Sequence, residues 1–226
     1  MTKNVWLKIA CTGAVVVAVL ISVSVSNVSR AKAESGDSRV QIGLAAAPVH
    51  LNMHGKNPAL VGLGSYYVNV VGDCNGCHSD GPPTEYSVGG NPYFNQTKVV
   101  NPTTYLGGGR DFGFLGPPSA SAGAHIISRN LTPDASGLPE GGNTFDQFVA
   151  ILRTGVDPDH RHPTCAAGTI NSGCVPAPFD GNLLQVMPWP TLKDLSDHDL
   201  RAIYEYLGAV PCIQGHDPAE PANRCG

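Results

Sequence analysis

The chain has 226 residues, of which 42% are hydrophobic and 14% are charged, which fits a packed globular protein and excludes a disordered one. Its 27 glycines and 19 prolines indicate that loops and turns make up much of the chain. The formal net charge of -4 argues against a nucleic-acid partner, because binding phosphates requires a basic surface.

The N-terminal residues 1–33 have the pattern of a secretory signal peptide. Two lysines accompany an apolar run over residues 9–25, and small residues then provide a cleavage site before Glu34. The run approaches the length of a membrane-spanning helix, so an uncleaved anchor is the alternative interpretation. Cleavage would remove Cys11 and leave 10 basic against 18 acidic residues, a net charge of -8. We expect an exported, periplasmic chain with no membrane span of its own.

The lead-in over residues 34–56 shows no apolar periodicity and is predicted to be flexible. A helix then begins with Asn57 as its N-cap and Pro58 at its first position, and Gly72 is placed to end it. Its predicted buried face consists of Leu60, Gly64, Tyr67 and Val71.

A second helix follows a long loop region, residues 79–130, that is rich in glycine, proline and asparagine. Thr144 and Gln147 have the spacing of a capping box, and Gly155 ends the helix. Its predicted buried face consists of Phe145, Phe148, Val149 and Leu152.

A third helix follows another proline- and glycine-rich loop over residues 156–185. Ser196 is its predicted N-cap, and Gly208 ends it. Its predicted buried face consists of Leu200, Ile203, Tyr204 and Leu207. Three helices with modest apolar stripes bury little core for a domain of this size. A large apolar cofactor at the centre would resolve that shortage.

Six cysteines remain beyond the signal peptide, and an even number in an exported chain is typical of disulfides. Four of them lie outside the C-x-x-C-H motif and allow three connectivities. Sequence proximity favours Cys165–Cys174 and Cys212–Cys225. A four-cysteine zinc site is disfavoured, because such sites use closely paired thiolates.

The stretch "GDCNGCH" places Cys74, Cys77 and His78 in a C-x-x-C-H motif. A thioredoxin-like redox pair would lie at a helix N-terminus after a strand, and a zinc site would need a second ligand pair; the sequence offers neither. Covalent haem attachment uses two thiols at this spacing and an adjacent histidine that reaches the iron. The motif therefore favours a haem.

The iron of such a haem takes a second axial ligand. The chain beyond the predicted signal peptide contains two methionines that could supply it. Met53 lies in the lead-in and is interpreted as incidental, whereas Met187 lies in the proline-rich "VMPWP" just before the last helix. Histidines could replace Met187 in principle, but each is interpreted as a surface residue: His125, His160, His162 and His198.

In this order, the first helix, "GDCNGCH", the loops, "NLTPD", "FDQFVAILRTG" and "MPWPTLKDLSDHDLRAIYEYL" resemble the class I c-type cytochrome domain. The resemblance covers residues 57–212 and is greatest to mono-haem bacterial cytochromes that serve dehydrogenases. It implies a mostly α, cytochrome c-like fold of a few helices around one covalently bound haem c. The long Gly/Pro-rich loops and the four extra cysteines depart from compact family members. Residues 213–226 form a tail that we expect to be tethered by a disulfide.

By this resemblance, Cys74 and Cys77 carry the haem thioethers, and His78 and Met187 are the axial ligands of the iron. The first and last helices are expected to cross, with contact between Gly64 and Tyr204.

Trp189 and Arg110 are candidates for lining the haem edge or binding its propionates, with ordinary packing and a loop charge as the alternatives. The implied function is an electron carrier, not an enzyme. Its partners would be an extracytoplasmic dehydrogenase as donor and a respiratory-chain acceptor. The alternatives are a haem-based enzyme or gas sensor with an open distal site, or a structural module of a larger complex.

Overall fold

The computed structural model of the protein describes residues 37–115, 123–215 and 220–226. The predicted signal peptide over residues 1–33 lies outside these ranges. Among the described residues, no helix combines the length and apolar character needed to cross a membrane.

The described chain is rich in helix and contains one antiparallel pair of short strands. The strands are β1 (Asp111–Phe114) and β2 (His125–Ile127). The prediction of a mostly α chain with long loops is confirmed at that level. The helices are α1 (Ser38–Ala46), α2 (Pro58–Ser65, continued by a π-helix, Tyr66–Val71), α3 (Cys74–His78), α4 (Pro82–Glu85), a 3₁₀ turn (Pro92–Phe94), α5 (Pro139–Gly142), α6 (Phe145–Thr154), α7 (Trp189–Leu192) and α8 (Asp197–Leu207).

The lead-in contains a helix that its sequence pattern does not reveal. α1 begins after Asp37, whose carboxylate accepts a hydrogen bond from the backbone N–H of Arg39. α1 packs against α2 through its backbone, because a β-carbon on Gly43 would collide with the carbonyl group of Gly62. Such packing uses glycine in place of an apolar stripe, so the amphipathic periodicity is absent. The lead-in that was predicted to be flexible therefore contains a helix over Ser38–Ala46, while its residues 47–56 have neither helix nor strand.

α2 starts and ends where predicted, but its buried face differs. The Asn57 side chain caps the helix by accepting a 2.9 Å hydrogen bond from the backbone of Ala59. Beyond Ser65 the helix widens into its π-helical part, which rotates the later side chains relative to an α-helix. Val68 is consequently buried, whereas Val71 is 61% exposed. In the predicted stripe, Gly64 is buried, while Leu60 and Tyr67 are half-buried.

α2 and α8 cross at Gly64, as expected. A β-carbon on Gly64 would collide with the carbonyl of Ala202 and lie 2.7 Å from the β-carbon of Tyr206. The predicted contact with Tyr204 was wrong. Tyr204 lies on another face of α8, where its ring packs 5.6 Å from that of Phe148 on α6.

α6 and α8 begin as their sequences predict. Thr144 and Gln147 form a capping box in both directions, and the Ser196 hydroxyl accepts the backbone N–H of Asp199 at 3.1 Å. The apolar stripes of both helices join the main core cluster. This cluster consists of Val61, Val68, Tyr105, Leu106, Leu131, Phe148, Leu152, Leu200, Tyr204, Tyr206, Leu207, Ala209 and Val210.

The four cysteines of the described chain that lie outside the motif form the two expected bridges, Cys165–Cys174 and Cys212–Cys225. The second bridge holds the C-terminal tail against the segment that contains Thr132. The Thr132 hydroxyl accepts the backbone N–H of Ile213 at 3.1 Å, and its carbonyl accepts a hydrogen bond from the buried Arg224 guanidinium. With all four thiols in disulfides, the four-cysteine zinc site is excluded.

Candidate haem-attachment site

The C-x-x-C-H motif forms a short helix of its own. α3 follows the end of the π-helix through Asp73, whose left-handed backbone (φ 44°) lets the chain turn from one helix into the next. Cys74 is half-buried against the main core cluster, and Cys77 is exposed. Both are free thiols, while the other cysteines of the described chain are in disulfides.

The environment of Cys74 does not suit a thiol–disulfide cycle. Burial, with added repulsion from Asp73 and Cys77, raises the pKa of the Cys74 thiol to about 12. The attacking species in disulfide exchange is the thiolate, which such a pKa disfavours. The motif also follows a helix and not a strand. Across the described ranges, no three His, Cys, Asp or Glu side chains converge as ligands of a metal ion.

His78 is buried and oriented by a backbone carbonyl. Its Nδ1 atom lies 2.7 Å from the carbonyl oxygen of Arg129, and only 8% of the residue is exposed. Burial lowers the pKa of His78, which favours the neutral imidazole. Because a carbonyl oxygen only accepts, Nδ1 carries the proton and Nε2 keeps its lone pair. This is the tautomer and the support that an iron-binding histidine requires.

The carbonyl of Arg129 belongs to a segment that is hydrogen-bonded to residues 106–110, which in turn bond the motif at His78. The backbone N–H of Gly108 donates to the carbonyl of His78 at 2.8 Å, and that of Leu131 donates to Leu106 at 2.9 Å. Gly108 has φ 66°, and a β-carbon there would collide with the backbone between Arg129 and Asn130. We call residues 106–110 together with residues 128–131 the histidine support.

Two buried polar atoms beside the motif lack hydrogen-bond partners among the described residues. They are Asn75 Nδ2 and Ser79 Oγ. The other side of the Asn75 amide is used, since its oxygen accepts the backbone N–H of Leu106 at 2.9 Å. Unsatisfied buried donors of this kind are rare and fit a site that receives a further group. With two thiols and a neutral histidine, the residues present fit a covalently attached haem.

The side chain of Arg129 lies in a cluster of buried charges that sequence reasoning missed. Its guanidinium donates to Asp157 and to the carbonyl of Glu140, and it lies 2.9 Å from Nδ1 of His160. His160 is therefore part of this cluster, and its prediction as a surface residue was wrong. The tetrapeptide "NLTP" follows Arg129 directly, so the resemblance offered a signal for this region.

The buried charges have shifted pKa values in opposite directions. Burial raises the pKa of Glu140 to about 7, although the Arg129 guanidinium acts against this rise. Burial acts in the same direction on Asp157, but hydrogen bonds from His160 and the charge of Arg129 outweigh it and lower its pKa to about 2. Asp157 is therefore the ionised partner of Arg129 at neutral pH.

Met187 is half-buried and packs against the main core cluster, in a segment of tight turns that we call the methionine loop (residues 183–195). The backbone N–H of Met187 donates to Gln185, and that of Trp189 donates to Met187, both at 2.8 Å. Val186 has φ 68°, an uncommon conformation for a β-branched residue. Strain of this kind is often found at functional sites.

Met53 lies in a comparable environment. It is also half-buried and packs against the main core cluster, although the sequence analysis set it aside as a ligand. The lead-in places it there through a 2.7 Å hydrogen bond from the backbone N–H of Asn52 to the carbonyl of Ala209. Burial against one cluster is thus shared by both methionines and does not by itself select Met187 as a ligand.

The two further candidates from the sequence have defined contacts. The Trp189 indole N–H donates to the carbonyl of Leu184 at 3.2 Å, and its ring covers Gly155, where a β-carbon would collide with it. Trp189 therefore anchors the methionine loop to the end of α6. Arg110 donates to the carbonyl of Gly76 inside the motif, so its guanidinium lies at the motif.

Three further histidines were weighed as ligands in the sequence analysis. His125 is exposed, with its Nδ1 2.7 Å from an Asp111 carboxylate oxygen, which agrees with its predicted surface position. His162 is half-buried, and burial lowers its pKa. His198 is half-buried near the start of α8.

The chain is similar to the gluconate 2-dehydrogenase cytochrome c subunit of Pantoea cypripedii, with 27% identity over 167 residues. The match covers 73% of this chain and 26% of the relative, so the chain spans about a quarter of the length of the curated relative that it matches. No family model matches the sequence. No solved structure matches it either. The distant similarity supports a c-type cytochrome in general terms.

Proposed function

We propose that residues 57–212 form a mono-haem class I c-type cytochrome domain that carries single electrons and has no catalytic activity of its own. The observation that supports this most directly is the buried, neutral His78, whose Nδ1–H is bonded to the Arg129 carbonyl immediately after two free thiols. The same arrangement leaves Nε2 available for the iron.

In this proposal, Cys74 and Cys77 would hold the haem through thioether bonds, and His78 and Met187 would be the ligands of its iron. When bound, the haem supplies one-electron chemistry, with a potential that methionine ligation raises. The protein contributes a fixed imidazole tautomer, a half-buried methionine and an apolar core that excludes water. Trp189 would act by holding the methionine loop, and Arg110 by holding the motif.

We further propose an extracytoplasmic dehydrogenase as the electron donor and a respiratory-chain component as the acceptor. The relative is by name a cytochrome c subunit of a dehydrogenase, which supports a donor of this class. The two disulfides support an oxidising, exported location. Electrons would pass across a small, transient interface.

The test is the visible spectrum of the full chain matured with haem in a bacterial periplasm. We expect haem that remains attached after denaturation, and a weak far-red charge-transfer band in the ferric form that reports methionine ligation. Met187→Ala should abolish this band. Met53→Ala is the matched control, because it removes the other half-buried methionine of the same core, and it should retain the band.

Four outcomes would contradict parts of the proposal. A wild-type protein without covalent haem, or a Cys77→Ser variant that keeps both covalent bonds, would refute haem attachment. Loss of the band in Met53→Ala alone would exchange the two methionines. A ferric wild-type form without the band, with ready CO binding after reduction, would indicate a haem-based enzyme or gas sensor.

A further inference from the structure

The carbonyl that orients His78 belongs to Arg129, whose own side chain contacts four other residues. The Arg129 guanidinium is 11% exposed and donates to Asp157, whose side chain is 2% exposed. Nε and Nη2 both donate to the carbonyl of Glu140, at 3.2 and 2.7 Å. Nη1 lies 2.9 Å from His160, and Nη2 lies 3.6 Å from the exposed Asp159.

The residues that bind this guanidinium are distant from Arg129 along the chain. The peptide group of Arg129 lies between them and His78, and it has little freedom to move. Asp157 lies 28 positions and Glu140 11 positions after Arg129. On the opposite side, the backbone of residues 128–131 is hydrogen-bonded to residues 106–110 and lies directly against Gly108. The peptide that carries the accepting carbonyl is thus fixed from both sides.

We propose that Asp157 and Arg129 are positioning residues for the iron-binding histidine: their buried ion pair fixes the peptide whose carbonyl accepts the Nδ1–H of His78. This inference rests on the proposed function. A short, fixed hydrogen bond at Nδ1 makes the imidazole a stronger donor at Nε2, which favours ferric iron. Loosening the ion pair therefore raises the midpoint potential and exposes the Nδ1 proton to solvent.

Two variants test this in the haem-loaded full chain. Asp157→Asn removes the partner of Arg129, but it also removes a negative charge, which by itself raises the potential. Arg129→Lys keeps both the charge and the main-chain carbonyl while it loses the planar fork that reaches Asp157 and Glu140 together. A change of the same sign in both variants therefore reports positioning and not net charge.

The readouts are the midpoint potential and the solvent exchange rate of the His78 Nδ1 proton, measured by NMR in the reduced, diamagnetic form. We expect exchange on the order of tenfold faster in both variants, as for a hydrogen bond that loses its ordinary net strength, together with a higher potential. Asp159→Asn is the matched control for charge, because its carboxylate is 68% exposed at the edge of the same cluster. It should keep the wild-type exchange rate.

Wild-type exchange rates and potentials in Arg129→Lys would overturn the inference while leaving the proposed function intact. If Asp157→Asn fails to accumulate, Arg129→Lys alone decides. A wild-type protein without covalent haem would instead refute the proposed function itself.

Discussion

The two candidate ligands are held differently: His78 bonds a carbonyl from across the chain, whereas the backbone hydrogen bonds of Met187 stay within the methionine loop, which is itself anchored to the end of α6. The carbonyl bonded to His78 comes from Arg129, 51 positions away, and the ion pair behind it adds Asp157. The turns around Met187 join residues two positions apart, with Trp189 as the principal anchor. We infer from this difference that the histidine support is rigid and that the methionine loop can adjust its conformation. Each prediction below tests one side of this contrast.

The largest effect is expected in the histidine support. Gly108→Ala would place a methyl group against the backbone of Asn130 and force a left-handed conformation on alanine. We expect a loss of about 4 kcal/mol in the free energy of unfolding, measured by urea denaturation of the full chain.

The control for this variant is Gly89→Ala. Gly89 has a similar φ, 79°, but a β-carbon there has no neighbour within 4 Å. We expect Gly89→Ala to lower the free energy of unfolding only by the cost of the left-handed conformation, about 1–2 kcal/mol. Equal losses of stability in the two variants would show that the histidine support deforms at little cost. The contrast between the histidine support and the methionine loop would then be wrong.

A smaller effect is expected from the buried Glu140. Its pKa rises from 4.5 in the unfolded chain to about 7 in the folded protein. The unfolded state therefore ionises first, so the stability contributed by Glu140 is present below about pH 4.5 and is lost as the pH rises to 7. We expect Glu140→Gln to exceed the wild type by up to about 3 kcal/mol above pH 7.

The measurement is urea unfolding of both proteins at pH 4 and pH 8. The gain should appear at pH 8 and be absent at pH 4. A variant that follows the wild type at both values would mean that Glu140 is solvated or ionised in the folded state. The charge cluster behind Arg129 would then be less tightly packed than the structure indicates.

The smallest effect is expected in the methionine loop, at Val186. Its left-handed backbone is costly for valine, and its side chain is 52% exposed, so little packing is lost on removal. We expect Val186→Gly to stabilise the folded chain by about 1 kcal/mol, once the entropy of glycine is subtracted. Val88 is exposed and has no positive φ, so Val88→Gly should not raise the free energy of unfolding. An increase in that variant would contradict the attribution of the effect at Val186 to backbone strain.

Sequence patterns identified the elements whose signals are local. Caps at Asn57, Thr144 and Ser196 marked helix starts, and these are confirmed. The close spacing of cysteines indicated both disulfides correctly. Such features depend on residues a few positions apart, which sequence reasoning can see directly.

Features that depend on distant residues could not be predicted in this way. α1 packs by Gly43 against the backbone of α2, and this leaves no apolar periodicity to detect. The role of Arg129 depends on a carbonyl, which every residue has, and on buried acids from other segments. The motif itself was visible in the sequence, but its support became visible only in three dimensions.

The short spans of the two disulfides have a consequence for oxidative folding. Cys165–Cys174 and Cys212–Cys225 join cysteines 9 and 13 positions apart. A wrong bridge from Cys77 to Cys165 would close a loop roughly ten times longer, at an entropic cost roughly 2 kcal/mol greater. In an oxidising compartment, these four thiols should therefore be consumed in nearby pairs. Mispairing of these four thiols with Cys74 or Cys77 is thus disfavoured.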